Sequence, residues 1–255
     1  MTVTAGASAE TAAADSATAR VWALSARQQL ACGLRILSAL GYNESFAGHI
    51  TWQEPGEDTM WCNPASRWWQ EVRASDICRV TLDGLVVEGP WPVTDAIYIH
   101  TELHKVRPDA RVIVHGHPYF GTLLAAVPAP AEITHQAGCV FDGELAMVDE
   151  FAGGVLDSSA GAHLAELVGG ASGVVLANHG VLVAGPDMAV AAFRADTFER
   201  MCRTTADLIG MKVAPQPIDP DIRASLKPWL LTTGAKAYWE GAVRQLIARE
   251  PDVLD

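Results

Sequence analysis

Arg111-Val112-Ile113-Val114-His115-Gly116-His117-Pro118 is an apolar run that ends in two imidazoles two residues apart. Gly173-Val174-Val175-Leu176-Ala177-Asn178-His179-Gly180 is a second such run, closed by a third imidazole. Each reads as a short buried strand. Side chains at i and i+2 of a strand share a face. Two imidazoles one pleat apart, joined by a third from a neighbouring strand end, can hold one divalent metal and leave positions open for substrate. His115, His117 and His179 are therefore the expected metal ligands.

Outward from these strands the pattern is mixed. Ser25 with Gln28 forms a capping-box pair ahead of a helix to Leu40, with Leu30, Leu34 and Leu37 as its stripe and Gly41 as its stop. Strands are expected near Ala47–Gln53 and Thr59–Cys62. Ile77–Leu82 and Leu85–Val87 flank Asp83-Gly84, a hairpin signal. Thr94 or Asp95 can cap a helix through Val106, ended before Pro108. Tyr119–Ala126 and Ser158–Val168 read as helices. Val181–Ala184 reads as a return strand, and Asp187 as the cap of a long helix to about Ile209. One or two helices are expected in Asp219–Glu250, with Trp229, after Pro228, as a helix-start anchor. These elements predict an α/β fold: one domain with a central, mostly antiparallel sheet covered by helices. Residues 1–19 read as a disordered leader, 20–215 as the domain, and 216–255 as a helical tail packing on it or on a neighbouring subunit.

Composition limits the function. Of the 255 residues, 49% are hydrophobic, enough for a sizeable core. A net charge of −12 argues against nucleic acid and against an anionic membrane surface. An anionic small molecule stays compatible, because a metal supplies local positive charge. The five cysteines are widely spaced without a Cys-x-x-Cys, so a reduced, cytoplasmic setting is expected.

Four segments, Gly48-His49-Ile50-Thr51, Ile99-His100-Thr101-Glu102, Arg107-Pro108-Asp109 through His115-Gly116-His117, and Asn178-His179-Gly180, resemble the class II aldolase/adducin family in the family's order. The resemblance implies a homotetramer with active sites at subunit interfaces. It also implies one divalent ion on the three matching histidines: zinc as the first expectation, with manganese or iron as alternatives. Such an ion polarises a carbonyl and stabilises the enediolate formed as a carbon–carbon bond breaks. The departures bear on substrate. The family's sugar-phosphate aldolases carry a Ser-Ser-Glu run whose Glu falls where this chain has Ala96, with Asp95 one residue earlier. Their phosphate-holding segments correspond to Gly48-His49-Ile50-Thr51, Asn63-Pro64-Ala65-Ser66 and Thr94-Asp95, and Trp68-Trp69 follow closely. Donors are lost and aromatic surface is gained, which points to a non-phosphorylated, possibly aromatic, hydroxy or keto acid.

The expected activity is a metal-dependent carbon–carbon lyase, a decarboxylase or aldolase. The alternatives are a non-haem iron oxygenase on the same scaffold and a non-catalytic, adducin-like interaction module. His135, about where the aldolases bring in a neighbour's tyrosine, and Asp95 are the expected acid/base residues. His49, Asn63, Ser66, Trp68 and His100 are the expected substrate-binding set.

Overall fold

The strand holding His115, Val112–Gly116 (β5), lies near the middle of an eight-stranded sheet. Its companions are β1 (His49–Gln53), β2 (Thr59–Cys62), β3 (Cys78–Thr81), β4 (Val86–Glu88), β6 (Leu145–Val148), β7 (Gly173–Leu176) and β8 (Gly180–Gly185). Their order is β4-β3-β2-β1-β5-β8-β7-β6. Every neighbouring pair is antiparallel except β6 with β7, which run parallel. The structure is a computed structural model that describes residues 18–42, 44–127 and 129–255. Most of the expected leader therefore lies outside the described residues; residues 18–22 are helical.

Period-2 alternation separates two cores. Ile50, Trp52, Val112, Val114, Val181 and Val183 enter the larger one. There they meet helix α1 (Ala26–Ala39), helix α5 (Met188–Met211) and helix α7 (Ala235–Arg249). Ile113, Val174, Leu182 and Ala184 enter the other, beneath helix α2 (Tyr98–Val106) and helix α4 (Ser158–Val168). His49, Thr51 and His115 alternate with the first set, so they sit on the face that α2 covers. That places four histidines in the same layer: His49 and His115 on strands, His100 and His104 on α2.

Local chemistry sets the helix ends. Ser25 and Gln28 complete the capping box of α1. Asp157 and Asp187 accept from the amides of Ala160 and Val190 at the starts of α4 and α5. The helix expected from Thr94 begins later: Asp95–Ile97 form a 3₁₀ turn, with Thr94 Oγ1 accepting from Ala96 N, before α2 starts. The Arg107-Pro108-Asp109 segment is a clamp. Arg107 pairs with Asp109 at 2.7 Å and donates to the carbonyls of Gly169 and Ala171, tying the exit of α2 to the exit of α4.

Two sequence expectations change. Strand β6 was not expected; three of its four residues are only half-buried and show no alternation to read. Trp229 does not start a helix. It ends α6 (Pro220–Trp229), Pro228 lies inside that helix, and the chain runs through a π turn at Leu230–Gly234 into α7. Proline lacks an N–H, and the wider turn absorbs the break in the hydrogen-bond ladder. The tail joins the large core through Trp239, Val243 and Leu246. It is also held by Arg35 in α1, which pairs with Glu250 and Asp252. All five cysteines are buried and free. Among the described residues no helix is long and apolar enough to cross a membrane.

Candidate metal centre

Strand β5 delivers His115, and His117 follows just beyond its last residue. His179 comes from the tight connection between β7 and β8, which stops β7 at Leu176, three residues before the sequence pattern did. Asn178 takes a left-handed conformation there (φ 53°), one that asparagine tolerates better than most residues. Gly180 is needed for close approach: a Cβ on it would lie 2.5 Å from the Gly116 carbonyl and 2.6 Å from His117 Cδ2. The Asn-His-Gly sequence thus turns the chain, presents the imidazole and lets β8 press against His117.

The three rings converge. Their centroids are 4.7 to 5.2 Å apart, and one nitrogen from each lies within 4.8 Å of the others. Hydrogen bonds fix which nitrogen points inward. His115 Nδ1 donates to the Val181 carbonyl at 3.0 Å. His117 Nδ1 faces the Glu44 carboxylate at 3.4 Å, while His117 Nε2 is buried without a partner. With Nδ1 committed as donor, Nε2 carries the lone pair a metal needs. Burial, reinforced by mutual repulsion, holds the His115 imidazole well below its usual range and that of His179 down to about 4. Burial lowers His117 against the opposing pull of Glu44. Neutral rings at pH 7, inward lone pairs and a buried nitrogen without a partner fit a divalent cation.

A cavity of about 200 Å³ opens onto this triad. Phe46, Gly48, His49, Asn63, Ala65, Thr94 and Ala96 complete its walls. None of its lining residues is Lys, Arg, Asp or Glu. Gly48 (φ 91°) lets β1 begin hard against the site; a Cβ there would lie 2.9 Å from the His115 carbonyl. His49 faces His115 directly across the β1–β5 ladder, with ring centroids 4.9 Å apart. Burial, with His117 and His179 adding to it, brings the His49 imidazole down to about 3.

The structure gathers His115, His117, His179, His49 and Asn63 around this cavity. Asn63 Oδ1 also accepts from Ile50 N at 2.8 Å, bracing the start of β1. His100 is fully buried and does not touch the cavity; it reaches it through His49, at 2.6 Å. Four expected residues fall elsewhere within the single chain. Ser66 and Trp68 are exposed, because Trp69 is the indole that turns inward and donates to the Gly48 carbonyl. Asp95 is exposed at the start of its 3₁₀ turn, whereas its neighbours Thr94 and Ala96 line the cavity. His135 lies outside the cavity, beside Thr134 and close enough to Arg200 to feel its charge. Two contributors went unread. Glu44 comes from a turn without periodicity. Thr51 was legible as the residue two along from His49, on the same face of β1.

Fold and site together define a class. Residues 28–206 match the family model described as the class II aldolase and adducin N-terminal domain, and the chain belongs to that family. Among similar proteins, decarboxylase NovR of Streptomyces niveus is 31% identical over 176 residues, spanning 68% of this chain and 65% of that protein. The 4-hydroxy-3-prenylphenylpyruvate oxygenase/4-hydroxy-3-prenylbenzoate synthase of Streptomyces roseochromogenus is 29% identical over 198 residues, 75% of this chain and 70% of that protein. The solved L-fuculose 1-phosphate aldolase of Glaciozyma antarctica superposes with a TM-score of 0.77 at 24% identity, covering 92% of this chain and 93% of that one. The chain thus has decarboxylase relatives in a lyase superfamily and shares the aldolase fold.

Proposed function

We propose that this protein is a divalent-metal-dependent carbon–carbon lyase, a decarboxylase or aldolase, acting on a non-phosphorylated hydroxy or keto acid. The observation that carries the reading is the convergence of three neutral imidazoles on a cavity lined by no charged side chain. A phosphate dianion is normally held by several charge-assisted donors, and this wall offers no cation of its own. A divalent ion on His115, His117 and His179, zinc before manganese or iron, would supply a Lewis acid that polarises a carbonyl and takes up enolate charge.

The chain's own groups divide the remaining work. Val181 and Glu44 orient two of the ligand rings. His49 and Asn63 offer polar edges to the substrate's oxygens, and Phe46 and Ala47 offer an apolar wall. A second, mostly apolar cavity shares His179 with the first and is lined by Val148, Leu164 and Leu167. It supports a substrate with an aromatic or other apolar body. Proton return to carbon is assigned to His135 or Asp95 of a neighbouring subunit, since neither lines the cavity of its own chain. Exposed Phe46, Tyr119 and Phe151 flank the cavities and suit a subunit contact. A homotetramer is the assembly this reading carries.

The test is to load the purified chain with zinc, manganese or iron and offer hydroxy-aromatic and keto carboxylates alongside aldol donors. Released carbon dioxide or aldehyde is expected. A metal-loaded chain inert toward every acid would overturn the reading. The oxygenase relative motivates a second one, iron-dependent oxygenation, marked by oxygen uptake with the iron-loaded chain alone.

A further inference from the structure

Behind the cavity, four buried side chains are linked in series. His49 Nδ1 lies 2.6 Å from His100 Nε2, His100 Nδ1 lies 2.6 Å from Thr51 Oγ1, and Thr51 Oγ1 lies 2.8 Å from His104 Nε2. All four are at most 5% exposed. Nothing in the proposed lyase reading uses His104 or Thr51.

Proton counting constrains this series. Three neutral imidazoles and one hydroxyl carry one proton each, four in all. Three hydrogen bonds consume three of them. The fourth must sit at an end, on His49 Nε2 or on His104 Nδ1. The Thr51 hydroxyl can donate to only one neighbour, so it forces the rings on either side into step. Only two arrangements satisfy every link: all three rings protonated on Nε2, or all three on Nδ1. Burial favours neutral rings throughout, lowering His100 well below its usual range and His104 to about 3.

The surroundings choose between the two. With Nδ1 protonated, His49 would aim a bare lone pair into a cavity where His115 and His117 already direct theirs. His49 is not part of the triad whose ligand nitrogens share 4.8 Å, so no common cation would relieve that repulsion. With Nε2 protonated, His49 offers an N–H instead. We infer that His49, His100, Thr51 and His104 form a proton-ordered relay that fixes His49 Nε2 as a hydrogen-bond donor, making the cavity a receptor for an anionic oxygen beside the metal position. Thr51 is the positioning residue. The far end is closed, since His104 Nδ1 is buried without a hydrogen-bond partner of good geometry. The relay therefore sets polarity and does not conduct protons.

Magic-angle-spinning ¹⁵N spectra of histidine-labelled protein test this in metal-free and zinc-loaded samples, with rings assigned by single substitutions. The expected result is Nε2–H at residues 49, 100 and 104 together. Nδ1–H or an imidazolium at any of the three overturns the inference. In Thr51→Val the hydroxyl is gone, and His104 should lose its single tautomer while Thr51→Ser keeps all three in step. A Thr51→Val spectrum identical to the native one also overturns it. The metal-free measurement is independent of turnover, so its failure would leave the lyase reading standing.

Discussion

Acidification should unfold the metal-free chain well before its carboxylates are neutralised. His49 and His104 are buried and held at about 3, against an ordinary value of 6.5. As pH falls past 6.5, the unfolded chain takes up a proton on each ring, and the folded chain refuses it until about 3. Stability from these rings is thus complete above 6.5 and drains below it. At pH 5 each ring stabilises the fold by about 2 kcal/mol less than at pH 7. Two rings give about 4 kcal/mol, a large part of a domain's usual 5–15 kcal/mol, flagged here as roughly that range. With a urea m-value of about 3 kcal/mol/M, the midpoint should fall by about 1.3 M. Asp196 and Glu199, raised by burial, act in the opposite sense near the acid end. His104→Asn isolates the effect, because it should remove about half of the pH dependence. Urea unfolding followed by circular dichroism at pH 7, 6 and 5, with a chelator present, reads it out. An unchanged midpoint from pH 7 to pH 5 would refute the claim that these rings are buried and neutral.

Other substitutions probe the site and the tail. His179→Ala should take zinc content, measured by inductively coupled plasma mass spectrometry, from one ion per chain to none, with the chain still folded. Glu44→Gln should weaken zinc binding about tenfold, the lower end of what ligand-orienting carboxylates contribute, because Glu44 is largely exposed; competition with a fluorescent chelator measures it. Gly180→Ala should cost about 1–3 kcal/mol through overpacking and also weaken zinc binding, since the new methyl drives into His117. Trp239→Ala should cost about 3–5 kcal/mol in thermal or urea unfolding, as Trp239 is fully buried in the large core.

The central strands were legible because burial imposed a period on them. Val112, Val114, Val181 and Val183 face one core, and Ile113, Leu182 and Ala184 the other. The helix starts at Ser25, Asp157 and Asp187 could be read from side chains that cap backbone amides. The histidine triad was legible for the same reason as the strands: spacing fixes a face. Glu44 reaches His117 from a turn, and nothing in its neighbours encodes that approach. Strand β6 is a half-buried edge that takes its place by pairing with β7, a long-range choice that leaves no local pattern. The indole that turns inward at Trp68-Trp69 was decided by the Gly48 carbonyl waiting for a donor, a contact 21 residues away in sequence.

The register of β1 against β5 carries the site's chemistry. His49 stands opposite His115, and Thr51 opposite Ile113. A slip of one residue would turn His49 and Thr51 into the large core and put Ile50 against the histidine layer. Apolar burial forbids that: Ile50 and Trp52 have their places among α1 and its neighbours, and each such side chain is worth about 1.5–3 kcal/mol buried. The hydrophobic pattern on one face therefore determines the polar pattern on the other. Three bonds below 3 Å then follow between β1 and α2. In the cavity the consequence is electrostatic. With no charged side chain in its wall, a bound cation would be the dominant local charge, and an organic acid would be drawn to it by its own oxygens.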